Sequence, residues 1–282
     1  MNITAAMVKD LREKTGAGMM DCKKALAECE ADLEKAIDWL RQKGLSKAAK
    51  RADRATSEGV IAEWISDDSK SAVMVEVKCE TDFVARGDKF KEFADAVVRK
   101  IADTRPATLE EAGLQDMLNE TIAATGENVT LGKFVRIDIE GAGLVGAYVH
   151  ANGKIASMIE VLCDTEAVAA SDAVRECAKN VAMQIAATNP LALDASSLDP
   201  ALMEREREVY RQKAREEGKP EEVIERIANG AVKKYCKEVC LLEQPYIRDD
   251  KQTIADLLKA TGKAAGGSVS LGNFFRIQLG AE

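Results

Sequence analysis

The side chains able to do chemistry in this 282-residue sequence are few and scattered. There is one histidine, His150, and seven cysteines. A nucleophile–base pair needs a second partner for the imidazole, and no Gly-x-Ser-x-Gly elbow supplies one. No Gly-x-x-x-x-Gly-Lys-Ser/Thr phosphate loop occurs. Cys236 and Cys240 are four apart on one face of a predicted helix, but no second pair completes a four-ligand zinc site. Gly141-Ala142-Gly143-Leu144-Val145-Gly146 matches Gly-x-Gly-x-x-Gly, yet the next residues read as a hairpin through Asn152-Gly153, where a dinucleotide site opens a helix. No metal, cofactor or enzymatic centre is therefore expected. Thr81-Asp82-Phe83-Val84 reads as a strand-to-helix turn in which Thr81 or Asp82 caps a helix.

Composition narrows the rest. Forty-eight acidic and 40 basic residues give a formal charge of −8, which argues against a nucleic-acid coat. An odd number of cysteines spread through a long chain reads as reduced thiols in a cytosol. No apolar run approaches the roughly 18–20 residues of a membrane span, and no basic-then-apolar leader opens the chain, so a cytoplasmic location is expected.

Internal repeats organise the elements that must hold these residues. Ala72-Val73-Met74-Val75-Glu76-Val77-Lys78-Cys79-Glu80-Thr81 aligns with Ala156-Ser157-Met158-Ile159-Glu160-Val161-Leu162-Cys163-Asp164-Thr165, and the match continues to Thr104/Thr188, with Pro106/Pro190 just beyond. About 15 of 33 positions are identical, which marks a duplicated unit. Val129-Thr130-Leu131-Gly132-Lys133-Phe134-Val135-Arg136-Ile137 aligns with Val269-Ser270-Leu271-Gly272-Asn273-Phe274-Phe275-Arg276-Ile277 at a larger offset, 140 residues against 84. The second copy therefore carries an insertion of 56 residues between Pro190 and Thr253. Each copy reads as a hairpin, a helical region and a closing strand: an α+β layer with one face of its sheet covered. In the first copy, Phe90, Phe93, Ala94, Val97, Val98 and Ile101 form a helical stripe.

The insertion reads as two helices, Pro200 to Glu217 and Pro220 to about Leu242, joined by Gly218-Lys219-Pro220 into an antiparallel hairpin with heptad-like apolar spacing. Residues 1–55 read as a separate module: helices over Thr4–Thr15 and Met20–Cys29, and a third capped by Asp32. A basic linker follows over Gly44–Glu58, with Lys47, Lys50, Arg51 and Arg54. The predicted organisation is thus α+β, with a three-helix module and linker over 1–55, a first core subdomain over 56–141, and a second over 142–282 carrying a helical hairpin at about 194–250.

Two segments resemble a known family. Leu11-Arg12-Glu13-Lys14-Thr15-Gly16-Ala17-Gly18-Met19-Met20-Asp21-Cys22-Lys23-Lys24-Ala25-Leu26 is similar to the N-terminal signature of the bacterial elongation factor Ts family. Glu76-Val77-Lys78-Cys79-Glu80-Thr81-Asp82-Phe83-Val84-Ala85-Arg86 resembles its second signature, with Lys78 where that family usually has asparagine. The resemblance spans the whole chain and implies a UBA-like N-terminal module. It also implies a non-enzymatic guanine nucleotide exchange factor for elongation factor Tu, acting in translation elongation. It assigns Thr81, Asp82, Phe83 and Val84 to contact with that GTPase, Asp82 and Phe83 displacing its magnesium environment. Leu11, Met19, Met20 and Lys23 would contact it from the N-terminal module, and His150 from the core.

Plainer readings stand beside these. Met19, Met20 and Leu11 would serve equally as the core of a small module. The repeat distinguishes Phe83, because copy two keeps Thr165, Glu166 and Val168 but has Ala167 in its place. His150 likewise has Ser66 as its counterpart. The alternative function is a chaperone-like adaptor, in which the module binds a helix or peptide and the duplicated core dimerises.

Overall fold

The computed structural model describes residues 3–281. Three helices open the chain: α1 (Ala5–Thr15), α2 (Met19–Glu28) and α3 (Leu33–Ala49). Thr4 caps α1 by accepting from the Met7 N–H, and Gly16 ends it at φ 64°. Asp32 accepts from the Lys35 N–H at the start of α3. Val8, Leu11, Cys22, Ala25, Leu26, Ala36 and Leu40 close into one small core. α3 runs further than the sequence predicts: residues 44–49, expected as linker, continue the helix. Gly44 is buried there, with space for a Cβ only 3.3 Å from the Cβ of Ala123. That packing offsets the roughly 1 kcal/mol a helical glycine costs. The Lys47 side chain lies outside the described residues.

The first sheet follows: β1 (Glu58–Ile65), β2 (Ser71–Cys79), the five-residue helix α4 (Asp82–Arg86), α5 (Asp88–Thr104), α6 (Gln115–Thr125) and β3 (Val129–Asp138). Its strands are antiparallel in the order β1-β2-β3. The second sheet is built from β4 (Gly143–Val149), β5 (Ile155–Cys163) and the final strand β8 (Val269–Gln278), in the order β4-β5-β8. Between β5 and β8 lie α7 (Glu166–Ala169), α8 (Asp172–Thr188), α9 (Pro200–Glu216), α10 (Glu221–Val239), a short ribbon β6 (Pro245–Tyr246) and β7 (Asp249–Thr253), and α11 (Ile254–Ala265). α9 and α10 pack as the expected hairpin. α10 stops at Val239 rather than Leu242, because Cys240 turns extended (φ −95°, ψ 118°) to lead the chain back to the core. The β6–β7 ribbon is not predicted from sequence, since residues 245–253 lack alternating apolar positions.

Each sheet carries helices on one face. Val73, Val75 and Val77 meet Phe90, Phe93, Val97 and Ile101 of α5; Ile159 and Val161 meet Val174, Val181 and Ile185 of α8. The expectation that the other face is uncovered is corrected. The two sheets stack on each other through Ile61, Ala72, Met74 and Ile137 on one side and Val145, Ala156, Met158 and Ile277 on the other. A strand buried on both faces loses its polar alternation, which is why β2 and β5 read as nearly continuous apolar runs. The stacking is reciprocal. The Ile61 N–H donates to the Gly153 carbonyl at 2.8 Å, and the Val145 N–H donates to the Ser69 carbonyl at 2.8 Å.

Candidate partner-binding site

A helix of five residues does not hold itself in place, because nucleation fixes several dihedrals for each bond gained. α4 is held at its ends. Thr81, not Asp82, is the cap: extended at φ −126° and ψ 154°, it accepts from the Val84 N–H at 3.4 Å. Asp82 occupies the first helical position, where a carboxylate suits the helix dipole, and pairs with Arg86 at 2.9 Å. The Gly87 N–H returns to the Val84 carbonyl at 2.9 Å. Ala85 is buried and Val84 packs partly into the first core. With about 100° per residue, that orientation turns Phe83 outward. Phe83 is 85% exposed, the most exposed large apolar side chain among the described residues.

The second unit builds the same turn without the aromatic. Thr165 caps α7 by accepting from the Val168 N–H at 3.3 Å, and Ala167 takes the outward position. Glu166, the counterpart of Asp82, is bound to Lys70 at 2.9 Å and so joins the two units.

Behind α4 lies a polar lock that the sequence does not single out. Glu127 accepts from the Thr81 hydroxyl at 2.6 Å, the Thr81 N–H at 3.0 Å and the Glu80 N–H at 3.1 Å. Glu80 accepts in turn from the Asn128 N–H at 2.6 Å and from Arg54 at 3.4 Å. Asn128 is buried and donates to the carbonyls of Ala52 and Arg54. The basic linker is thereby tied to the base of α4. The Cys79 thiol beside it donates to the Thr81 carbonyl at 3.2 Å; burial and then the Glu127 charge push its pKa up to about 12. It is no nucleophile at neutral pH. The repeat contained a signal for Glu127, since Gly267 is its counterpart, but the closing-strand match begins two residues later, at Val129.

In the N-terminal module, Met19 and Met20 are both exposed, at 58% and 74%, and Lys23 is exposed beside them. Cys22, Ala25 and Leu26 take the inward face of α2 instead. The expectation for Leu11 is corrected: it is 0% exposed at the centre of the three-helix core and has no surface to offer a partner. A Cβ on Gly16 would lie 3.4 Å from Lys89 Nζ, so the α1–α2 turn stands beside the start of α5, just after α4. His150 is exposed on the β4–β5 turn, its Nδ1 3.1 Å from the Tyr148 hydroxyl. Lys154 of that turn pairs with Glu58 at 2.6 Å, and Glu58 stands opposite Cys79 in the ladder. The methionine edge, α4 and the His150 turn thus flank one end of the first sheet.

The Gly-x-Gly-x-x-Gly stretch forms a turn and strand β4. A Cβ on Gly146 would lie 2.5 Å from the Ala178 carbonyl oxygen, so this glycine serves the approach of α8. Among the described residues, no three His, Cys, Asp or Glu side chains come together in a way that could hold a metal, and no helix is long and apolar enough to cross a membrane.

A family model described as Elongation factor TS matches residues 80–281. Elongation factor Ts of Nitratidesulfovibrio vulgaris (strain Hildenborough) is 58% identical over 282 residues, covering 100% of this chain and 97% of that protein. Elongation factor Ts of Desulfovibrio desulfuricans is 56% identical over 283 residues, covering 99% of each. Elongation factor Ts of Clostridium perfringens (strain 13) is 44% identical over 287 residues, covering 99% of this chain and 93% of that protein.

Proposed function

The chain belongs to the elongation factor Ts family, and from that premise we propose that it binds elongation factor Tu·GDP in the cytoplasm and drives GDP release through α4. It is an exchange factor and not an enzyme. The observation that carries the α4 reading is Phe83: a large apolar side chain held 85% in solvent by a capped helix, where the repeated unit has alanine. An exposed aromatic on a rigid element suits insertion into a partner's groove. Phe83 enters the GTPase domain as a wedge and Asp82 accompanies it toward the magnesium and phosphate site. Thr81 and Val84 hold the wedge, one as cap and one as packing. Met19, Met20 and Lys23 add an adaptable flank, since methionine fits irregular surfaces, and His150 adds a polar contact from the core.

The energetics require this breadth. Nanomolar nucleotide binding corresponds to about 12 kcal/mol. Faster release by about 10³–10⁴ needs on the order of 4–5.5 kcal/mol of differential stabilisation. Burying one Phe contributes about 1.5–3 kcal/mol. The remainder comes from the wider contact, and coupling is reciprocal: nucleotide weakens exchange-factor binding as much as the factor weakens nucleotide binding.

The core is read as two copies of one unit, 56–141 and 142–282, following the 1–55 module and linker. Matching strand orders, the shared Thr caps and the reciprocal Ile61–Gly153 and Val145–Ser69 bonds support that division.

The test is the dissociation rate of a fluorescent GDP analogue from elongation factor Tu with substoichiometric amounts of this chain. Catalytic acceleration is expected, with Phe83→Ala slower by about 10- to 100-fold and unchanged in folding. No acceleration of an active cognate partner overturns the reading and favours the adaptor. Acceleration untouched by Phe83→Ala moves the coupling away from α4.

A further inference from the structure

We propose that Glu127 is a positioning residue for exchange: its carboxylate sets the direction of α4 and hence of Phe83, without itself touching the partner. This rests on the wedge reading above. Glu127 gathers three donors at the start of α4: the Thr81 hydroxyl at 2.6 Å, the Thr81 N–H at 3.0 Å and the Glu80 N–H at 3.1 Å. The hydroxyl bond fixes where the Thr81 proton lies, which leaves the Thr81 oxygen free to accept from the Val84 N–H and close the first turn. Glu80 crosses in the opposite direction to the Asn128 N–H at 2.6 Å. The end of β2 and the start of β3 therefore exchange carboxylates across the base of the helix. A helix this short takes its direction from such anchors rather than from its own ladder.

The second unit is an internal control. There, Asp164 repeats the Glu80 bond by accepting from the Ser268 N–H at 3.1 Å. The counterpart of Glu127 is Gly267, where a Cβ would lie 2.5 Å from Asp164 Oδ1 and 2.6 Å from Val168 Cγ2. No side chain fits. A helix that presents Ala167 does without the lock; the helix that presents Phe83 has it. Both units thus keep the Glu80/Asp164 bond, and the Glu127 bonds accompany the exposed aromatic.

The test measures release of fluorescent GDP from elongation factor Tu as the full-length chain is titrated to saturation. Wild type, Glu127→Ala, Phe83→Ala and the double variant are compared, with thermal unfolding followed for each. Glu127→Ala is expected to lower the maximal rate about tenfold, the loss of hydrogen bonds to a charged group, at a nearly unchanged half-saturating concentration. The double variant is expected to be no slower than Phe83→Ala alone. Asp164→Ala, which cuts the matching bond of the second unit, is expected to exchange at the wild-type rate. If Glu127→Ala does not fold, Glu127→Gln replaces it, keeping one acceptor oxygen and giving an intermediate rate. A Glu127 variant as fast as wild type beside a slowed Phe83→Ala overturns the proposal and leaves the wedge standing, as do losses that multiply in the double variant. Phe83→Ala at the wild-type rate removes the wedge reading itself.

Discussion

At the residue scale, apolar side chains of one signature lie in opposite surroundings. Leu11 is enclosed by the module and Met20 is not, so their truncations should separate. Leu11→Ala is expected to destabilise the module by about 2–5 kcal/mol, read by denaturant unfolding. Met20→Ala should change stability by less than about 0.5 kcal/mol and raise the concentration of chain needed for half-maximal exchange. The thiols give a second prediction. Burial raises Cys79 and Cys240 to about 12, the Glu127 charge adding to Cys79 and the neighbouring Cys236 to Cys240. The unfolded thiol titrates near 9.0 and the folded one near 12, so the unfolded state releases its proton first as pH rises. The contribution is fully present below 9.0 and is lost toward 12. The fall in stability over that window should be shallower in Cys79→Ala than in wild type, measured by unfolding at stepped alkaline pH.

At the element scale, close approach decides more than propensity. Gly146 lets β4 lie against the Ala178 carbonyl of α8. Gly146→Ala is expected to cost about 1–3 kcal/mol by overpacking and to speed amide exchange in β4 and α8 before it affects α5. In the hairpin, Arg211 of α9 pairs with Glu225 of α10 at 2.6 Å and with Glu204 and Glu208 of its own helix. These acids hold its guanidinium even more firmly protonated. Arg211→Ala should loosen α9 and α10 alone, seen as faster amide exchange there. The difference should shrink at about 1 M salt, where charges are screened over about 3 Å.

At the scale of the whole molecule, the two sheets share one interior and the N-terminal module has its own. Met74 and Met158 are fully buried between the sheets. Met74→Ala is expected to destabilise by about 2–5 kcal/mol while the two sheets still unfold in one transition, because neither can bury its inner face alone. The module is fastened to the core by the exposed Arg41–Asp116 pair at 2.8 Å, by Arg51 on the Ile122 carbonyl at 3.3 Å and by Gly44 against Ala123. The buried anchors, Gly44 and Ala48, belong to α3, and exposed pairs contribute little, so α1 and α2 should exchange their amides ahead of α5 and α8. Equal protection throughout would contradict that division.

The sequence by itself determined the elements whose signals are local. The stripe of α5, the Asp32 cap and the glycine stop before α10 all act within a few residues, so periodicity and side-chain chemistry reveal them. Repetition within the sequence set Phe83 against Ala167. Tertiary structure decided the rest because it depends on groups distant in the chain. The second covered face of each sheet arises only when Met74 meets the Met158 side, and α3 continues past Gly44 where it packs closely on Ala123. Glu127 is 46 residues from Thr81; nothing local links them, and only the folding of β3 alongside β2 brings that carboxylate beneath α4. Likewise, whether a methionine or leucine of the first signature faces solvent was fixed by how three helices close, since Leu11 and Met20 are equally apolar and only packing distinguishes them.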